Sequence, residues 1–336
     1  MPSSRLAMRN SRLLLLCLGL FLSACSTRPV LIQPGTWFRS PAEAMQIRLL
    51  NVAYPLLTAA AEWCPFDQEP TYGFLLRDEA GGEGTDGTST GVHAVVAYVH
   101  PSLPAAVAGL SVGDVIREVN TVNVTSDSAD QIGSLIGRVT RAKIQPLQLE
   151  ILRGRERRML TLSAVPACHY VMRVLDSDRI NGITDGRQIG VTRGALQFFP
   201  WDDELGWVVA HEIAHNVLNH SEDAKFQAMV RRFLRAWGAA SDSSGRMPLR
   251  PSLEVQADYV GAYLMARAGY DLDAVRRAWK WLERIEARQG SRQGPSLSDT
   301  HPPTRERLAA FEVTLAEIEA KVKVAQPFKI RLGDEH

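Results

Sequence analysis

The sequence predicts an α+β protein: a mostly helical domain with a small sheet, carrying an inserted β-rich unit at residues 70–165. Three observations lead there. Apolar residues recur at helical spacing in 40–65 and again from 202 onward, with capping residues at several starts. Residues 70–165 instead alternate and are broken by Gly, Pro and Asn turns. At 336 residues and 45% apolar composition, the chain can build two cores. Its charge is balanced, 38 basic against 37 acidic with no basic block, so nothing points to nucleic acid.

Taken in order, the chain opens with Arg5, Arg9 and Arg12 before the apolar run Leu13 to Leu22, which is too short to span a bilayer unaided. That run closes on Leu22-Ser23-Ala24-Cys25 and resembles a bacterial lipoprotein signal; an ordinary secretory signal cut at small residues is the alternative. The resemblance implies removal of residues 1–24 and acylation of Cys25. Several chains on one cysteine anchor stably, at roughly 0.8 kcal/mol per buried methylene. Ser26 rather than Asp after the cysteine favours the outer membrane, so the chain is expected in the periplasm, tethered by residues 25–40. With Cys17 removed and Cys25 acylated, Cys64 and Cys168 have one possible pairing in an oxidising compartment; two free buried thiols are the alternative.

Ser40-Pro41-Ala42-Glu43 is a capping box with proline at the first helical position, and the helix it starts runs to about Trp63, with Pro55 as a kink; residues 41–69 are expected to pack on the main domain. In 70–165, Tyr72-Gly73-Phe74-Leu75-Leu76 opens a strand and Gly81 to Gly91 is a loop. A strand Val92–Val99, a helical turn within 101–110 and a strand Val115–Val119 follow. A helix near Asp127–Arg138 and a hairpin of Leu147–Leu152 with Met159–Val165 around Gly154 complete the unit. The unit, and above all the run PAAVAGLSVGDVIREVN from Pro104 to Asn120, resembles a PDZ domain. One departure is Asn120-Thr121, where that family usually has Asn-Gly. The resemblance implies an extended peptide added as a strand, its carboxylate captured by Tyr72, Gly73, Phe74 and Leu75; the alternative is a groove filled internally or unused.

After Cys168, residues 166–336 read as the main domain. His169 to Leu175 alternates as a strand, Asn181 to Gly186 is turn chemistry, and Gln188-Ile189-Gly190-Val191-Thr192 is a second strand. Asp202 caps a helix holding His211-Glu212-Ile213-Ala214-His215. Residues four apart share a helix face, so His211 and His215 can aim two imidazoles at one zinc ion, with Glu212 placed to take a proton from an attacking water. Further helices are expected at Glu222–Trp237, Pro251–Ala268 (stopped by Gly269) and Leu272–Arg288, with a Ser/Gly loop at 238–245. A last helix carries Arg307 and Leu308.

A catalytic zinc needs a third protein ligand. The pattern HExxHxxGxxH fails, because Leu218 and Ser221 stand where glycine and histidine are required; His220 is out of step and reads as a surface residue at the helix end. Glu254 on the later, mostly apolar helix fits instead, and Asp258 shares its face, close enough to orient a ligand imidazole. HEIAH, then Glu254-Val255-Gln256-Ala257-Asp258, then His301-Pro302-Pro303-Thr304 with Arg307 resemble the three motifs of the HtpX/CAAX-prenyl-protease-type zinc metallopeptidases, metallopeptidase family forty-eight, a gluzincin family. The resemblance implies a zincin-type domain and one zinc on His211, His215 and Glu254, with Glu212 as base and His301 and Arg307 at the active site. His301 would donate to the oxyanion or else occupy the open zinc position, with Arg288–Pro303 as a gate. Protein or peptide substrates of the envelope would lie along an edge strand, Gln188 to Thr192. The competing expectation is a PDZ-based adaptor or chaperone-like protein with a gated or inactive zinc site.

Overall fold

The structure is a computed structural model, and it describes residues 40–64, 68–80, 92–142, 146–220, 251–289, 301 and 305–323. Cys25, expected to be acylated, and the signal expected before it, the loop 81–91, the helix expected at 222–237, the loop 238–245 and most of the segment 288–303 lie outside the described residues.

Helix α1, Pro41–Ala59, starts as the capping box requires, with Ser40 Oγ accepting from Glu43 N at 3.2 Å. It passes through Pro55 and ends in a 3-10 turn, Ala61–Trp63. Its apolar face, including Leu49, Val52, Ala53 and Leu56, forms one wall of the main core.

The β-rich insert holds strands β1 (Phe74–Ala80), β2 (Val92–Val99), β3 (Val115–Val119), β4 (Val122–Asn123), β5 (Leu147–Arg153) and β6 (Glu156–Leu162), in the order β1-β2-β3-β5-β6 with β4 on β3. Between them lie the short helix α2 (Pro104–Val107) and α3 (Ala129–Arg141), which has its own capping box from Ser128 and Gln131. The Asn120-Thr121 turn is made, at φ +46° and +70°, as a tight left-handed pair joining β3 to β4. Thr121 therefore carries a β-branched side chain where glycine would be relaxed.

Two joins fix the insert to the main domain. Its entering and leaving chains run side by side, bridged at Gln68–Cys168 and Thr71–Val165, and Cys64 is disulfide-bonded to Cys168 with Cα atoms 5.8 Å apart. Tyr98 of β2 reaches out of the insert into the main core, stacks on Tyr54 and donates to Asn51 Oδ1 at 2.8 Å, both on α1.

The main domain adds β7 (Val171–Leu175), β8 (Gly182–Thr184), β9 (Gln188–Thr192), α4 (Arg193–Phe198), α5 (Asp202–Val217), α6 (Pro251–Ala268), α7 (Asp273–Gln289) and α8 (Arg305–Lys323). The small sheet has the order β7-β9-β8, so two expectations need correction. Gln188–Thr192 is the central strand, paired parallel to β7 and antiparallel to β8, and has no free edge. The run Asn181–Gly186, expected as a turn, contains a strand, Gly182–Thr184, and only Asp185-Gly186 turns, Gly186 at φ +95°. The outer edge of β7 is closed by Gln46 of α1, whose amide bonds Met172 O and Val174 N, each at 3.0 Å. Among the described residues the sheet's free edge is that of β8.

Candidate metal centre

Helix α5 is buried along nearly its whole length, from Glu204 to Asn216. Its start differs from expectation: Trp201 is the capping position and makes no side-chain cap, while Asp202 is the first helical residue and takes 2.9 Å from Arg48 Nε of α1. Three acids still sit in its first turn, Asp202, Asp203 and Glu204, favourable to the helix dipole. α6 packs along α5, with Gly261 close to the Ala210 and His211 backbone, and this approach brings Glu254 to the histidines.

Among the described residues, His211, His215, Glu254 and His301 form one group whose donor atoms all lie within 4.8 Å of one another, and all four are buried. His211 Nε2 is 3.0 Å from His215 Nε2 and 3.2 Å from Glu254 Oε2, and His215 Nε2 is 3.4 Å from Glu254 Oε1. His301 Nδ1 is 3.2 Å from His211 Nε2 and 2.9 Å from Glu254 Oε2. Ligands at ordinary zinc distances in a tetrahedron are about 3.3 Å apart, so these edges match that spacing. The chemistry agrees. His211 Nδ1 faces Asp258 Oδ1 at 3.0 Å and His215 Nδ1 faces His220 Nδ1 at 2.9 Å, leaving both Nε2 lone pairs aimed at each other. Converging lone pairs and a carboxylate in a dry site are repulsive unless a cation lies among them, so the residues fit a zinc ion.

The electrostatics follow from burial and neighbours. Among the side chains alone, burial depresses His211, but Asp258 and Glu254 outweigh it and hold its pKa at about 9. Burial wins at His215, which falls to about 3. Glu212 is raised by burial, partly offset by His301. Burial opposes the charge of Glu254, yet His301, His211 and His215 hold its pKa well below the usual carboxylate range.

Glu212 points toward His301, with Oε1 3.3 Å from Nε2, and among the described residues neither of its carboxylate oxygens has a hydrogen-bond partner. Gly182 of β8 lies against it: a Cβ at that position would stand 3.0 Å from Glu212 Oε1 and 2.9 Å from Val208 Cγ1. Arg307, fully buried on α8, is a clamp rather than a group aimed at open space. It gives two bonds to Asp258, 2.6 and 2.7 Å, approaches Glu254 Oε2 at 3.1 Å, and lies over the Trp279 ring. Asp258 thereby carries both His211 and Arg307; burial is the largest influence and opposes its charge, but Arg307 and His211 together hold its pKa below the usual carboxylate range.

His220 is 5% exposed and bonded to a ligand, not at the surface as its spacing suggested. Thr184 and Asn216 also lie beside the site, and the sequence does not mark them. Their contact, 2.6 Å, ties β8 to α5 one residue past His215. No local signal marks that pair, since β8 itself reads as a turn. In the insert, Gly73 is left-handed at φ +79°, but its N–H already goes to Thr71 Oγ1 at 3.2 Å and the Tyr72 hydroxyl pairs with Thr140 of α3 at 3.1 Å. Phe74 and Leu75 open β1, paired with Val99 and Tyr98 of β2.

Comparison with known proteins gives a family described as "Peptidase family M48", matching residues 146–246 and 237–314, together half of the chain. A "PDZ domain" family matches residues 95–146. The mitochondrial metalloendopeptidase OMA1 of Schizosaccharomyces pombe is 27% identical over 178 residues, 49% of this chain and 52% of that protein. The metalloendopeptidase OMA1, mitochondrial, of Homo sapiens is 26% identical over 157 residues, 40% of this chain and 30% of that protein. The chain thus spans about half or less of the curated relatives it matches. A solved structure of the HtrA3 PDZ domain bound to a phage-derived ligand is 19% identical, covering 30% of this chain and 88% of that one, with a TM-score of 0.24.

Proposed function

The chain belongs to peptidase family M48, and from that membership we propose that it is a zinc-dependent endopeptidase acting on proteins of a bacterial envelope, held to a membrane through Cys25. The observation that carries the activity is the conjunction of His211, His215 and Glu254 at tetrahedral spacing with a bare, buried Glu212 carboxylate beside them. A metal-binding site of purely structural use has no need of a base there.

A zinc ion held by His211, His215 and Glu254 would supply Lewis acidity, polarising the scissile carbonyl and the attacking water. The chain's own residues do the rest. Glu212 accepts the proton of the attacking water and delivers it to the leaving amine; burial raises its pKa above the usual carboxylate value. Asp258 lies 3.0 Å from His211 Nδ1 and is itself locked by two bonds from Arg307, so one ligand is backed by a carboxylate that a buried arginine holds in place. The extended substrate adds to the free edge of β8, where Gly182 lets backbone approach Glu212 closely. Attachment at Cys25 and an outer-membrane, periplasmic setting rest on the Leu22-Ser23-Ala24-Cys25 sequence. The PDZ unit would select or present protein substrates.

A second state of the same enzyme is favoured by one observation: His301 Nδ1 completes the group of donors at the position a substrate oxygen needs. In that state the imidazole gates the site, and substrate must displace it. A fluorogenic unstructured peptide, incubated with zinc-loaded wild-type protein and with the Glu212→Gln variant, tests the activity. Cleavage by wild type alone is expected; equal cleavage by both would place the chemistry elsewhere.

A further inference from the structure

His220 touches the metal cluster without belonging to it. The α5 helix ends at Val217, and Asn219, in the left-handed region at φ +53°, turns the chain so that His220 folds back under His215. The two rings meet at 5.0 Å between centroids, Nδ1 to Nδ1 at 2.9 Å, and His220 Nε2 lies 3.2 Å from Gln256 Oε1 on α6.

The protons along this chain follow from the orientation of the Gln256 amide, whose oxygen faces the ring. An amide oxygen accepts only, so His220 Nε2 carries a proton and donates it to Gln256. His220 Nδ1 is then bare and accepts the Nδ1 proton of His215. That leaves His215 Nε2 as a lone pair pointing at Glu254 and His211, which is the form a metal needs. We propose that His220 is the positioning residue of the metal centre for His215, with Gln256 fixing the tautomer of His220, so that zinc affinity depends on this His215–His220–Gln256 chain. The proposal rests on the metal-site assignment above.

The two ligand histidines are thus supported differently. His211 is backed by the carboxylate of Asp258, whose charge Arg307 balances; His215 is backed by a neutral imidazole. Charge explains the difference. The cluster already buries Glu212, Glu254 and Asp258 around one arginine, and a further carboxylate in place of His220 would be an unpaired buried charge. A histidine supplies the same acceptor without it.

The experiment measures zinc affinity of the full chain by chelator competition, and the visible absorption of the cobalt-substituted protein, for wild type, His220→Phe, His220→Asn and Gln256→Leu. Phenylalanine keeps the ring volume and removes the acceptor; the asparagine δ-oxygen overlies the lost Nδ1. Thermal unfolding of the metal-free variants controls for the fold. His220→Phe is expected to weaken zinc about 10–100-fold and to shift the cobalt bands. His220→Asn should stay within about threefold of wild type with its bands restored, and Gln256→Leu, on an exposed residue, should fall between. Affinity of His220→Phe within about twofold of wild type overturns the proposal, as does an equal loss in the Phe and Asn variants, which would reduce His220 to packing. Failure of wild type itself to bind zinc would instead overturn the metal-site assignment.

Discussion

His301 Nε2 stands 3.3 Å from Glu212 Oε1 while Nδ1 of the same ring lies among the candidate metal-binding atoms of His211, His215 and Glu254, so one imidazole stands between the proposed base and the proposed metal site. Under the proposed gate, a water or substrate carbonyl reaches that place only after the ring has moved. His301→Ala should therefore raise basal cleavage of an unstructured peptide several-fold, read as initial rate with zinc content matched. The competing role, donation to the oxyanion, calls for a fall of about a hundredfold or more. A clear fall with zinc retained would end the gate.

Removing a ligand should remove the metal. His215→Ala and Glu254→Ala each delete one of three strong donors, and metal analysis after dialysis should show marked loss in both. Full zinc occupancy in the two variants would refute the ligand assignment.

Gly182→Ala adds a methyl that would meet Val208 Cγ1 at 2.9 Å and the Glu212 side chain at 3.0–3.1 Å. Glu212 must move while the ligands keep their places, so turnover should drop on the order of tenfold or more with zinc unchanged, because small misplacements of a reacting group are costly. Unaltered kcat would show that Glu212 tolerates displacement.

The Cys64–Cys168 bond closes 104 residues of sequence separation and clips both ends of the insert. In the chain-entropy picture a loop of that size contributes up to about 4–5 kcal/mol. The double Cys→Ala variant should unfold at markedly lower urea, and the non-reduced, denatured wild type should offer neither thiol to an alkylating agent. Alkylation of both in that sample would contradict the pairing.

What the sequence discloses and what it hides follow from range. His211, Glu212 and His215 are legible because four-residue spacing on one helix is local physics, and Glu254 and Asp258 are legible for the same reason. Both strands Gln188–Thr192 and Val115–Val119 show in their own residues. Whether a strand is central or at an edge is decided by its partners, so the residues of Gln188–Thr192 alone do not show that it is central. Its actual edge neighbour, Gly182–Thr184, is three residues long between Asn181 and Asp185-Gly186 and looks like a turn. His220 is out of helical register with His211 and His215; only the left-handed Asn219 returns it to the site. Asp202 reads as a cap, yet Arg48, far away in sequence on α1, claims its carboxylate instead.

The central claim, that Glu212 acts as the base beside a bound zinc, is tested most directly by comparing wild type and Glu212→Gln for zinc content and peptide turnover in the same preparations. The amide keeps the side chain's shape and cannot accept the proton. The expected result is equal zinc in both with turnover lost by about a hundredfold or more in the variant. Equal zinc with unchanged turnover would contradict it.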